Sequence, residues 1–114
     1  MYYRKRREGQ DGAIKIAVAL VADYANRETA VKSARAADMQ ETKLEAFDSI
    51  NRIIDECLQS IEPYLRDILR EDIGTRTGWE NSKAHNFIAK DVYYSRKNQV
   101  IDKLLKNFNL VLDT

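Results

Sequence analysis

The chain has 114 residues, 44% hydrophobic and 32% charged, with a formal net charge of +1, a balance that suits one domain with a modest core. A single cysteine, Cys57, excludes an internal disulfide, and no apolar run approaches the ~20 residues that cross a bilayer. Lys15 interrupts the apolar stretch 13–22, which argues against a cleaved signal peptide, so the expected location is the cytoplasm.

One proline and four glycines leave few breaks and favour long helices. Residues 1–12 are expected to form a basic arm, with Asp11 placed to cap the helix that follows. The first helix is predicted from Ala13 to about Tyr24, with Ile14, Ala17, Val18, Val21 and Tyr24 on one face. It can continue through the alanine-rich stretch to Ala37, with a kink or break at 26–29, and the segment 39–42 is the expected connection. A second helix is predicted from Thr42, its N-cap, with Leu44, Phe47, Ile50, Ile54, Cys57, Leu58 and Ile61 at helical spacing. Pro63 interrupts that stripe, and proline fits the first turn of a helix, so a third helix is predicted from about Glu62. Its expected apolar face is Tyr64, Leu65, Ile68 and Leu69. The segment 74–78 reads as a loop, Trp79 to Phe87 as a short helix, and Val92 to about Phe108 as a long final helix. No run alternates with period two, so the predicted class is all-α: a small helical bundle ending in a helix-turn-helix with a long C-terminal helix. The expected division is an arm at 1–12, a helical bundle and oligomerisation region at 13–73, and the helix-turn-helix at 74–114.

Charge is segregated along the chain. Residues 1–8 carry a net +3, residues 38–72 a net −6 and residues 90–106 a net +3. Basic ends around an acidic middle fit either polyanion contact at the ends or ordinary solvated helix faces.

A short helix, a tight turn and a longer basic helix outline a helix-turn-helix, whose second helix leads into the DNA major groove with its N-terminal residues. On a helical wheel Val100, Ile101, Leu104, Leu105 and Phe108 define the buried face of the last helix, with Tyr93 on it and Tyr94 at its edge. The opposite face carries Val92, Ser95, Gln99, Asp102 and Lys106, with Arg96 and Lys103 at its margin. Arginine can read guanine, glutamine can read adenine and valine can touch a thymine methyl. Lys90, Lys97 and Lys106 are expected on phosphates, which position the protein without specifying sequence. The wheel turns Lys97 toward the core, so its stem is expected to pack while its amine reaches out. The DNA-contacting set read from the sequence is therefore Lys90, Val92, Ser95, Arg96, Lys97, Gln99, Lys103 and Lys106. A plain C-terminal bundle helix with solvated charges is the alternative for the same pattern.

The segment resembles the C-terminal region of the ArpU/RinA-type phage transcriptional regulators. Trp79 lies fourteen residues before Tyr93, the run 88–94 (IAKDVYY) matches the turn and helix start, Arg96 and Lys97 supply the basic pair, and Phe108-Asn109-Leu110 stands for the terminal apolar motif. The match covers about a third of the chain. A Tyr-Ala-x-Arg-x-Thr stretch at 24–29 is a looser likeness. The resemblance implies regulation of phage genes in a bacterial host, through a DNA-binding domain similar to the promoter-reading part of sigma factors. Double-stranded DNA is the partner it implies. RNA polymerase and a second copy of the chain are further partners compatible with the acidic middle and the long stripe. Ala89 departs from the group's capping serine, Ser82 and Lys83 occupy usually apolar positions, and Asn86 replaces a leucine. These departures predict weak packing in the first helix of the motif.

His85 is the only histidine and Cys57 is distant in sequence, so no metal site and no cofactor are expected. No nucleophile–base pairing or phosphate-cradling glycine loop is visible, and no catalytic role is expected. The alternative to DNA binding is a non-catalytic protein-interaction or phage-assembly module, an adaptor or a small-terminase-like subunit.

Overall fold

In the computed structural model, residues 10–37 and 42–110 are described; they form five α-helices and one 3-10 turn, with no strand among them. α1 spans Gln10–Ala22, α2 Tyr24–Ala36, α3 Thr42–Leu58, α4 Pro63–Thr75 and α5 Lys90–Asn107; the 3-10 turn is Trp79–Asn81. The chain is an all-α small bundle. The expected arm lies outside the described residues up to position 9, as does the expected connection at 39–41. Asp11 sits inside the first turn of α1 rather than before it, and Thr42 is itself the first residue of α3.

α1 packs against α4 and α5, and α3 packs against α2 and α5. The apolar stripe of α3 sets this arrangement. Its C-terminal end, Ile54, Cys57 and Leu58, is buried together with Ile61, whereas Leu44, Phe47 and Ile50 are half-buried. A fully buried aliphatic side chain stabilises by about 1.5–3 kcal/mol, so the weight of the core lies at the end of α3 that meets Val100, Leu104 and Leu105 of α5. On α4 the buried positions are Leu65, Leu69, Asp72 and Ile73, a stripe centred away from Tyr64. Tyr64 is 59% exposed, contrary to its expected place on the apolar face; its ring meets Phe87 instead, centroids 5.9 Å apart.

The helix break falls at Asp23, ahead of the expected 26–29. No glycine or proline causes it. Arg27, 4% exposed, donates from its guanidinium to the Leu20 carbonyl and from Nε to Asn51 Oδ1 at 2.8 Å. Asn51 Nδ2 donates to the Tyr24 carbonyl at 3.0 Å. Polar side chains bound to carbonyls of a helix are a recognised origin of kinks, and this set redirects α2 onto α3. Tyr24 closes the joint by donating from its hydroxyl to Asp55 at 2.8 Å, with Arg70 over its ring.

α4 runs two residues into the expected loop, through Gly74 and Thr75. A Cβ on Gly74 would lie 3.0 Å from the Ala22 Cα, so glycine at this position lets α1 and α4 approach backbone to backbone. The helix then stops at Arg76, in the left-handed region with φ 58°, while the Thr77 amide donates to the Asp72 carbonyl at 2.9 Å.

Candidate nucleic-acid interface

The connection between α4 and α5 is built around a buried carboxylate. Asp72, 5% exposed, accepts the Ser82 hydroxyl at 2.6 Å and the Tyr93 hydroxyl at 2.7 Å on the same oxygen. Ser82 Oγ accepts the Ala84 amide at 3.0 Å, which turns the chain back toward α5. Trp79 anchors the other side: its indole donates to the Ile88 carbonyl at 2.9 Å, its amide donates to the Tyr94 hydroxyl at 3.2 Å, and His85 lies against its ring. The expected continuous helix over 79–87 is therefore a single 3-10 turn followed by turns through Phe87. Ser82 ends the 3-10 turn with an extended backbone, φ −78° and ψ 149°, while its hydroxyl is held by Asp72 and takes up the Ala84 amide. A helix-turn-helix of regular form is not what joins α4 to α5.

α5 begins at Lys90, after Ala89, which has the extended backbone of an N-cap, φ −69° and ψ 149°, but no side-chain hydrogen bond to offer. Tyr93 and Tyr94 bury their rings behind this start, at 0% and 6% exposure. Burial and the neighbouring Asp72 carboxylate push the Tyr93 hydroxyl well above its ordinary pKa, so it stays a donor.

The residues expected to meet DNA divide into two groups. Val92, Ser95, Lys103 and Lys106 are exposed along one side of α5. Lys90, Arg96, Lys97 and Gln99 are half-buried and engaged within the chain. Lys90 pairs with Glu80 at 3.0 Å. Lys97 does not reach outward as expected; its amine donates to the Thr77 carbonyl at 2.6 Å and lies over the Tyr93 ring at 5.4 Å. Desolvation lowers the pKa of Lys97, with Asp72 opposing the shift. Arg96 Nε donates to both carboxylate oxygens of Glu62, at 2.9 and 3.1 Å. Gln99 Nε2 donates to the Ser60 carbonyl at 3.0 Å, and Asn107 Nδ2 lies 3.4 Å from Cys57 Sγ.

The last three contacts form a polar seam along one edge of α5, facing the end of α3 and the 59–62 connection. Arg66 closes the same connection by donating to the Leu58 and Ile61 carbonyls. A helical wheel puts Gln99 on the solvent face and Arg96 at its margin because it weighs apolar residues only. The seam is held by polar bonds instead, which carry no hydropathy signal. Asp72, Ser82 and Glu62, the acceptors and relay that organise the site, were equally silent in the sequence; the departure at Ser82 was the one hint.

Among the described residues, no three His, Cys, Asp or Glu side chains gather as a metal site. No described helix is long and apolar enough to cross a membrane. The chain matches no family model, no curated protein and no solved structure at a significant level.

Proposed function

We propose that the protein is a non-catalytic, DNA-binding transcriptional regulator of the ArpU/RinA phage type, acting in the bacterial cytoplasm. The observation that carries this reading is the exposed side of α5, where Val92, Ser95, Lys103 and Lys106 stand in line while Tyr93 and Tyr94 anchor the helix behind them. A rigidly anchored helix with small, apolar and cationic groups outward suits the major groove and its flanking phosphates. Arg96, 32% exposed beside a Glu62 that is 38% exposed, sits at the edge of that surface. A gel-shift experiment with duplex DNA tests it. Wild type is expected to shift the duplex, and Ser95→Glu, which places a carboxylate in the middle of the line, is expected to abolish the shift with the fold intact. Equal behaviour of the two proteins contradicts the reading.

A second reading, a protein-interaction module, draws on one observation. Tyr64 and Phe87, 59% and 55% exposed, form an aromatic pair on the surface near the start of α4. Exposed aromatic residues are characteristic of protein contacts. Light scattering separates the readings: a defined oligomer lost in Tyr64→Ser/Phe87→Ser, without DNA affinity, favours this second one.

A further inference from the structure

The Arg96–Glu62 pair has a form that bears on regulation of the DNA-binding surface, and its regulatory role rests on the DNA-binding function proposed for α5. Glu62 is the N-cap of α4, with φ −58° and ψ 139°, and its carboxylate stands where the helix dipole favours negative charge. Its own backbone amide and Arg96 hold its carboxyl below the usual range, so it is charged at neutral pH. Both of its oxygens share the one Nε–H of Arg96, a charge-assisted contact that an anionic phosphate oxygen can replace. Both side chains are about a third exposed, so solvent reaches the pair and a competing anion can too. The neighbouring Gln99–Ser60 bond holds α5 to the 59–62 connection independently, so breaking the ion pair leaves the helix in place.

We propose that Glu62 is an internal competitor for the DNA backbone: its carboxylate occupies Arg96 in the free protein, and binding exchanges it for a phosphate of duplex DNA. Glu62 thereby sets a lower affinity than the surface of α5 would otherwise have. The exchange is one acceptor for another on the same guanidinium, with no proton or covalent change. A half-buried ion pair that solvent reaches resists such exchange only weakly, so the expected effect is modest.

Duplex binding of purified full-length variants at fixed, moderate salt tests this, with circular dichroism as the check on folding. Glu62→Gln is expected to raise affinity about two- to fivefold, Arg96→Ala to lower it, and the gain from Glu62→Gln to vanish in the Arg96→Ala background. Glu62→Ser, which keeps a good N-cap, is expected to match Glu62→Gln. Asp91→Asn, which removes one exposed carboxylate at the start of α5, is expected to gain less. No gain in Glu62→Gln and Glu62→Ser, or the same gain with Arg96 absent, overturns the proposal while leaving DNA binding standing. Absence of duplex binding by wild type and by Glu62→Gln removes both.

Discussion

The Tyr93 hydroxyl, from α5, donates at 2.7 Å to the Asp72 carboxylate, from α4, and the same oxygen receives Ser82 from the connection between them. Three segments are thus fixed on one buried acceptor. Asp72→Ala leaves the Ser82 hydroxyl without its acceptor and the Tyr93 hydroxyl with only the Thr77 carbonyl at 3.2 Å, and is expected to destabilise by about 1–3 kcal/mol. Tyr93→Phe leaves the carboxylate one donor short and is expected to cost about 1–3 kcal/mol. Because both changes strike the same bond, the double variant is expected to cost less than the sum. Urea unfolding of the four proteins measures this; strict additivity would show that the pair is not coupled.

Ala89 occupies the N-cap of α5 with suitable backbone angles and no side-chain acceptor. Ala89→Ser supplies one, and a gain of about 0.5–2 kcal/mol is expected in thermal or urea unfolding. An unchanged or lowered stability would mean that the first amides of α5 are already satisfied.

Much of the fold is legible in the sequence because burial there is periodic. The α3 stripe ending at Leu58, the start of α4 at Pro63 and the buried face of α5 all follow from spacing and from proline geometry, although Ile61, expected on the same helix, is buried from the connection after it. What spacing does not carry is polar pairing across the chain. Asp72 and Ser82 are ten positions apart, Glu62 and Arg96 thirty-four, and nothing in either residue announces its partner. The same limit moved the break from 26–29 to Asp23, since Asn51 and Arg27 are joined only after α2 lies on α3. Tyr64 misled for another reason: one apolar residue beside a stripe looks like its margin, and only the position of Leu65 and Leu69 in the core shows that it is outside.

Tyr24 and Tyr93 are both buried beside carboxylates, and both hydroxyls have raised pKa values, that of Tyr24 to about 12. In the unfolded chain these tyrosines ionise near pH ~10, whereas in the folded chain they hold their protons. Their stabilisation is therefore complete below that pH and is lost as pH rises through the folded values. Lys97, whose pKa is lowered by burial, works in the opposite sense below its ordinary value. Net stability is expected to fall above pH ~10, by up to about 3 kcal/mol for Tyr24 alone. Urea midpoints from pH 8 to 12 measure this, and Tyr24→Phe is expected to flatten the decline. A stability that does not fall above pH 10 would contradict the buried, carboxylate-bonded placement of both rings.

In the proposed function, the exposed side of α5 holds duplex DNA through its cationic residues. The most direct test is the salt dependence of duplex affinity for wild type and for Lys103→Ala/Lys106→Ala. Each phosphate neutralised contributes about −0.9 to the slope of log affinity against log salt concentration. A steep negative slope is expected for wild type, and a slope shallower by about two phosphate contacts for the double variant. An affinity indifferent to salt, or the same slope with both lysines removed, would contradict it.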